Sequence, residues 1–265
     1  MKRIKSLLLL PVLFTLGCSI SGDYKYDDTG YQVLDGASLS LDNIHNVEVN
    51  WVNGNVYCSQ SAETTITVSE TESEYPLYYK IKDDELSIQL TKSGTSSRVI
   101  DKLNKDLTLS LPASLYTLSM NLVKTKANFD GNVAMNKGEF NIVDGKCSFE
   151  TYAASESNFK ITNADLDIKC LDVSYSQKNI MLTDGEGGYQ LLGEPQEHKI
   201  DINVVNASIK VGINSEIGYK LDWTQVNSRF ICEYGENRYD YGNKLINLDV
   251  NAVNADFKIT KIVTM

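Results

Sequence analysis

Apolar and polar residues alternate along most of this chain. Val47 and Val49, Val56 and Cys58, Ile66 and Val68, Leu86, Ile88 and Leu90, and Leu107, Leu109 and Leu111 stand two apart with polar neighbours between them. That is the period of a strand with one buried face. No window of helical length carries a 3.6-residue apolar stripe. The pattern predicts an all-β chain of short strands joined by polar turns.

The second half repeats. One apolar pair recurs as Met120/Leu122, Phe140/Ile142, Phe159/Ile161, Ile180/Leu182, Ile200/Ile202 and Leu221/Trp223. A second series runs Phe129, Phe149, Ile168, Tyr189, Ile209 and Phe230. Both keep a step of about twenty residues, so each turn of the chain supplies two short strands and stacked turns bury a continuous core. The expected fold is a β-solenoid, β-helix-like, with rungs of about 20 residues and two strands per rung. An echo at the corners supports it: Asn163-Ala164-Asp165, Asn206-Ala207-Ser208 and Asn254-Ala255-Asp256. Asn suits such corners because it tolerates left-handed backbone and bonds its own turn. The echo and the spacing differ by two residues in places, which preserves the buried face and leaves the register open.

These residues resemble the bacterial putative-adhesin family, an extracytoplasmic β-solenoid domain. The likeness runs over roughly residues 40–265. It is carried by Val47 and Val49 leading into Asn53-Gly54-Asn55-Val56, by Asp84-Glu85-Leu86-Ser87-Ile88, by Leu109-Ser110-Leu111-Pro112, and by Val253-Asn254-Ala255-Asp256-Phe257-Lys258-Ile259 as a closing rung. Where that family has Gly after the corner Asn, Ala164, Ala207 and Ala255 stand here. The resemblance implies adhesion or scaffolding at the cell envelope and no enzymatic activity.

The N-terminus changes the picture of where the chain works. Lys2, Arg3 and Lys5 precede an uncharged run from Leu7 to Gly17, a basic n-region and a short h-region. The run is about half the 20 residues that span a bilayer, and Pro11 interrupts it. Its end, Leu16-Gly17-Cys18-Ser19, resembles the lipobox of bacterial lipoproteins, with Thr15 where that motif favours Leu. The resemblance implies a signal peptide over residues 1–17, lipid on Cys18 and a membrane reached through that lipid. Residues 18–35, polar and acidic, read as a tether, and residues 36–265 as the β domain.

Charge narrows the partners. The chain carries −10, and losing Lys2, Arg3 and Lys5 with the leader takes it to −13. Nucleic acid is excluded as a partner, because phosphate neutralisation needs clustered Lys and Arg. An envelope protein or glycan remains. Cys58, Cys147, Cys170 and Cys232 are enough for two disulfides in an exported chain. Cys147, Cys170 and Cys232 each share a face with an apolar neighbour, however, and read as small buried thiols.

Candidate chemistry is sparse. His45 and His198 are far apart in sequence and read as surface residues. No nucleophile elbow, zinc, phosphate-loop or dinucleotide motif is present. The expected outward ladder through residues 148, 167, 188, 208 and 229 reads Ser, Asp, Gly, Ser, Arg, and its neighbour through 150, 169, 190, 210 and 231 reads Glu, Lys, Gln, Lys, Ile. Acids alternate with bases and amides, a solvated face. Asp165 and Asp167 form a pair without a third partner. Asp27/Asp28, Glu70/Glu72/Glu74 and Asp83/Asp84/Glu85 lack calcium-loop spacing. The segment from Asp184 to Gly188 reads as a flexible turn, and the tyrosines at 75, 78, 79, 234, 239 and 241 as packing residues. The sequence therefore assigns no catalytic, cofactor-binding or metal-ligating residue. Two other readings stay open: a polysaccharide-acting β-helix lyase or hydrolase, and a partner of envelope-stress sensing.

Overall fold

The computed structural model describes residues 23–262 except 36–37, 72–73, 171–174, 193–196, 215–216, 236–237 and 244. The expected leader and Cys18 lie outside the described residues. The strands fall in three groups along the chain. The first comprises β1 (Gln32–Val33), β2 (Ser38–Leu41), β3 (Asn46–Val52), β4 (Asn55–Gln60), β5 (Ile66–Glu70), β6 (Tyr78–Lys82), β7 (Glu85–Gln89) and, after the short helix α1 (Ser97–Ile100), β8 (Leu107–Leu111). The second comprises β9 (Thr117–Val123), β10 (Lys126–Val143), β11 (Lys146–Thr162), β12 (Asp165–Cys170), β13 (Tyr175–Thr183) and β14 (Glu186–Leu191). The last comprises β15 (Glu197–Val205), β16 (Ser208–Asn214), β17 (Tyr219–Val226), β18 (Arg229–Cys232), β19 (Asp240–Tyr241), β20 (Ile246–Val253) and β21 (Asp256–Ile262). All belong to one large, mostly parallel sheet.

Two parallel ladders run through that sheet. The first stacks β7, β3, β9, the second half of β10, the second half of β11, β13, β15, β20 and β17. The second stacks β8, β4, the first parts of β10 and β11, then β12, β14, β16, β21 and β18. Among the described residues, antiparallel pairs of strands occur only at the two ends: β1–β6–β7 and β2–β5–β8 at one, β19 on β17 at the other.

The expected series hold for four rungs and then slip. Met120, Phe140, Phe159 and Ile180 are consecutive partners. Ile180 then faces Ile202 rather than Ile200, and Tyr189 faces Val211 rather than Ile209. A slip of two keeps every side chain on its face, which is why parity survived while register did not. The order of the last rungs also differs from the expected one. Leu221 and Trp223 do not follow Ile200 and Ile202; β20 lies between β15 and β17, and β21 between β16 and β18. The corner echo carried this information, because Ser208 and Asp256 are direct neighbours.

A single kind of corner joins the two ladders in every rung except that of β7 and β8, which are joined through α1. Asn53, Lys124, Asp144, Asn163, Asp184, Asn206, Asn227 and Asn254 all have φ between 49° and 62°. Asn and Asp reach this left-handed region at low cost and supply seven of the eight. Each corner is preceded by Val or Thr and tied to the next rung through the backbone. The amides of Lys124, Asp144, Asn163, Asp184 and Asn206 donate to the carbonyls of Val143, Thr162, Thr183, Val205 and Val253. After the corner the chain passes close to its neighbour. A Cβ on Gly185 would lie 2.1 Å from the Ala164 carbonyl oxygen, so Gly and larger residues share this position rung by rung.

Inside, aromatic rings follow the rung spacing. Phe129 stacks on Phe149 at 4.0 Å and Phe140 on Phe159 at 5.0 Å, while Phe140 meets Phe149 edge-on at 5.1 Å. Cys58, Cys147 and Cys170 are buried among the apolar positions and Cys232 is half-buried; all four carry thiols and none is disulfide-bonded. Burial pushes the Cys58 and Cys147 thiols well up, which makes them inert hydrophobes.

The expected tether, residues 18–35, is described only from Asp23 to Asp35. Residues 23–35 lie against the antiparallel end of the stack. Tyr24 bridges to Thr95 and its hydroxyl donates to Gln89 at 2.7 Å, Tyr26 donates to the Thr91 carbonyl at 3.0 Å, and β1 pairs with β6. The alternation of Tyr with charged residues hid this docking. The same end is pinned by a buried ion pair. Lys105 meets Glu70 at 2.5 Å and donates to the carbonyls of Tyr75 and Leu90, while the Trp51 indole donates to the Lys105 carbonyl.

Candidate binding surface

In-register pairing turns outward side chains into columns that run the length of the stack. Three such columns cover much of the first ladder. One reads Asn50, Asn121, Asn141, Lys160, Met181, Asn203, Asn251 and Thr224; the next reads Val52, Val123, Val143, Thr162, Thr183, Val205, Val253 and Val226. The third, on the other side of the amides, ends in Asp201, Asp249 and Asp222 on consecutive strands. Like charges directly opposed weaken a sheet, and Lys199, 2.8 Å from Asp201, offsets part of that repulsion.

The amides are locked into ladders. Asn121 donates to Asn50 and Asn141 to Asn121, both at 2.8 Å, and Asn179 donates to Asn158 at 2.7 Å. At the corners Asn227 donates to Asn254 at 2.9 Å and Asn254 to Asn206 at 3.2 Å. Each bond consumes one amide hydrogen and fixes one rotamer, leaving an ordered row of remaining donors and acceptors facing water.

Shallow grooves lie along the corners and on the second ladder. One of about 830 Å³ runs along the corners beside Asn206, Asn254, Asn227 and Arg229. Another, about 510 Å³, continues the same edge beside Lys124, Asp144, Asn163, Asp165 and Asp184. A third, about 290 Å³, lies on the second ladder between Tyr57, Asn128, Asp167, Glu150 and Lys169. Among the described residues no three His, Cys, Asp or Glu side chains gather to hold a metal ion, and no helix is long and apolar enough to cross a membrane.

The residues weighed in the sequence are scattered. Asp165 faces Lys146, and Asp167 faces Ser148 and Gly188. From Gly188 the outward column goes on to Lys210, Lys258 and Ile231 rather than to Ser208 and Arg229. The segment from Asp184 to Gly188 is a corner followed by strand β14, not a flexible turn; Gly187 leaves room for Ile209, whose Cγ1 a Cβ would meet at 2.9 Å. His45 lies at a half-buried turn with Nδ1 3.2 Å from the Ser114 carbonyl. Of the tyrosines only Tyr239 among the described ones of its cluster stays well exposed.

His198 is not a surface residue. It is fully buried with Nδ1 2.5 Å from Ser176 Oγ, beside buried Lys178, whose ammonium donates to the Ala154 carbonyl. Burial lowers His198 to about 4, with the Lys178 charge adding to the shift, and burial lowers Lys178 to about 8. Sequence reasoning missed the cluster although its signal was present. Ser176 and Lys178 share parity with Ile180 and Leu182, and His198 with Ile200 and Ile202. A Ser–His contact of this kind suits nucleophile activation, but it is sealed inside the stack.

No family model matches the chain, and no curated protein matches it. Solved structures of bacterial proteins do match over most of its length. A putative adhesin from Bacteroides fragilis is 14% identical, with 84% of this chain and 96% of that one covered and a TM-score of 0.44. A putative lipid binding protein from Parabacteroides distasonis is 11% identical, with the same coverages and a TM-score of 0.44. A putative cell adhesion protein from Clostridium sporogenes is 14% identical, covering 88% and 98%, with a TM-score of 0.35.

Proposed function

We propose that this chain is a lipid-anchored, non-enzymatic β-solenoid of the cell envelope that binds an envelope protein or glycan through its lateral face. The observation that carries the reading is the set of in-register outward columns, with amides bonded to one another from rung to rung. Such a face offers a repeated, rigid array suited to an extended ligand. Its grooves are wide and shallow, and the groups best suited to proton transfer, His198 and Lys178, are buried away from them. Lipid on Cys18 would hold the antiparallel end of the stack close to the membrane, because the chain from Cys18 to Asp23 reaches at most about 18 Å.

The test is fractionation with protease shaving of intact cells, wild type against Cys18→Ala. Membrane association and cleavage of the wild type, with release or failed processing of the variant, is the expected result. An unchanged variant would remove the anchor from the reading. A membrane-bound protein shielded from protease would favour scaffolding within the envelope over adhesion.

One observation favours the glycan-processing alternative. Asp144, Asp165 and Asp184 border a single groove, the place where paired carboxylates would act on a glycosidic bond. Asp144 already accepts a bond from Asn163 at 2.5 Å. New reducing or unsaturated sugar ends from envelope polysaccharide, lost in Asp165→Asn, would establish that alternative.

A further inference from the structure

The two ends of the stack are finished differently. At one, antiparallel strands β6 and β5 cover the edges of β7 and β8. At the other, β19 covers only the start of β17, where Tyr219 faces Tyr241 and Lys220 faces Asp240. The direction of the remaining backbone groups follows from their bonds. Val226 accepts from Asn254 on the β20 side, while Leu221 donates to Tyr239 on the outer side. Alternation then turns the N–H and C=O groups of Trp223 and Gln225 outward, and among the described residues no strand pairs with them. Nothing between Asp222 and Val226 blunts this edge: it has no Pro, no Lys and no bulge. The surface around it mixes exposed polar residues of β17 with exposed apolar ones: Val226 is 54% and Tyr239 47% exposed, and Trp223 lies half-buried over Phe257.

We propose that this end is a docking surface for a second copy of the chain, joined tail to tail by antiparallel pairing of β17 with its counterpart about a two-fold axis at Thr224. Two observations select this occupant. An antiparallel edge is self-complementary under a two-fold, so Trp223 and Gln225 of each copy satisfy Gln225 and Trp223 of the other. Charge then selects the end. The chain as a whole carries −10, yet here Lys220, Arg229 and Arg238 balance Asp222, Glu233 and Asp240, so two copies meet without the repulsion their lateral faces would impose. The register also places Val226 of one copy opposite Asp222 of the other, on the outward face. On the proposed anchored reading, the pairing would join proteins held on two facing membranes.

Sedimentation velocity on the full chain carrying Cys18→Ala tests it over a concentration series. The expected result is a dimer for the reference protein and for Val226→Lys, whose ammonium would face Asp222, and a monomer for Val226→Asp and Gln225→Pro. Val226 is exposed, so circular dichroism should show both of its variants folded. A monomeric reference protein at every concentration, or a Val226→Asp dimer as tight as the reference, overturns the proposal, as does equal loss in Val226→Lys and Val226→Asp. Beads coated through the N-terminus should clump with the reference chain and not with Val226→Asp. A solution dimer without clumping overturns the bridging alone, and neither result bears on the shaving experiment.

Discussion

Two kinds of residue reveal how tightly this sequence is matched to its backbone. Lys124 is the only corner residue of the eight that is neither Asn nor Asp, and it holds φ at 51°. A left-handed backbone costs an ordinary side chain about 1 kcal/mol or more, and the exposed ion pair of Lys124 with Asp101 returns little. Lys124→Asn should therefore raise stability by about 0.5–1 kcal/mol in urea unfolding. Gly185→Ala should do the reverse, by about 1–3 kcal/mol, because its Cβ would run into the Ala164 carbonyl. The buried pair gives a pH signature. His198 titrates near 4 in the folded chain and near its ordinary 6.5 once unfolded. Between those values the unfolded chain binds the proton that the folded one refuses, so stability falls as pH drops from 6.5 to 4, by roughly 3 kcal/mol. Lys178 acts in the same sense between about 8 and 10.5, where stability rises with pH. Urea midpoints measured from pH 4 to 7 should be flatter in His198→Asn than in wild type. An equal slope in both would remove His198 as the cause. Which residues sit at corners was legible in the sequence, since Asn163, Asn206 and Asn254 announce themselves. That His198 faces inward was not, because a polar residue at a strand start looks exposed until the parity of its strand is counted.

At the scale of elements, period and parity were readable and register was not. Phe129 and Phe149, or Phe140 and Phe159, could be paired from spacing alone because successive rungs there differ by 20 or 19 residues. The step from Ile180 to Ile202 is 22 residues, and no local signal tells an added pair of loop residues from a shifted strand. The N-terminal cap was illegible for another reason. Its strands are antiparallel and its anchor is an ion pair 35 residues apart in sequence. Lys105 joins Glu70 to the carbonyls of Tyr75 and Leu90 and sits 5.1 Å over the Trp51 ring. Removing one member strands the other in a buried site, which typically costs about 3–5 kcal/mol. Lys105→Met should lose stability on that scale, while Lys105→Met combined with Glu70→Leu should recover part of it. A double variant no better than the single would mean that the carbonyl bonds, not the carboxylate, carry the effect. The lateral columns belong to this scale as well. The outward Asn, Val and Asp positions were each visible as polar or aliphatic letters, but only the register aligns them into rows.

The whole molecule has its first and last parallel rungs in sequence threaded inward, a property no periodicity could disclose. The first rung in sequence, β3 with β4, lies between the rung of β7 and β8 and that of β9 and β10. The last, β20 with β21, lies between β15 with β16 and β17 with β18. In a stack built in strict sequence order the final strands fray first, because they have a neighbour on one side only. Here β21 is bonded on both sides, while β18, earlier in the chain, occupies the open edge. Amide exchange should therefore invert the order expected from sequence: Leu248, Val250, Phe257 and Ile259 should be protected like the middle rungs, and Phe230 and Cys232 should exchange fastest of the parallel strands, joined by Trp223 and Gln225 in the monomeric Val226→Asp. Deletion from residue 246 onward should cost more than one rung, since β17 and β18 lose their only parallel neighbours and β15 and β16 gain a bare edge. The truncated chain should thus lose circular dichroism from both rungs together and should unfold at lower urea than a variant with β17 and β18 disrupted. If the deletion removed only its own share of signal, with β17 and β18 still protected, the inner position of the C-terminal rung would be wrong. The stack would then end in the order in which the chain is written.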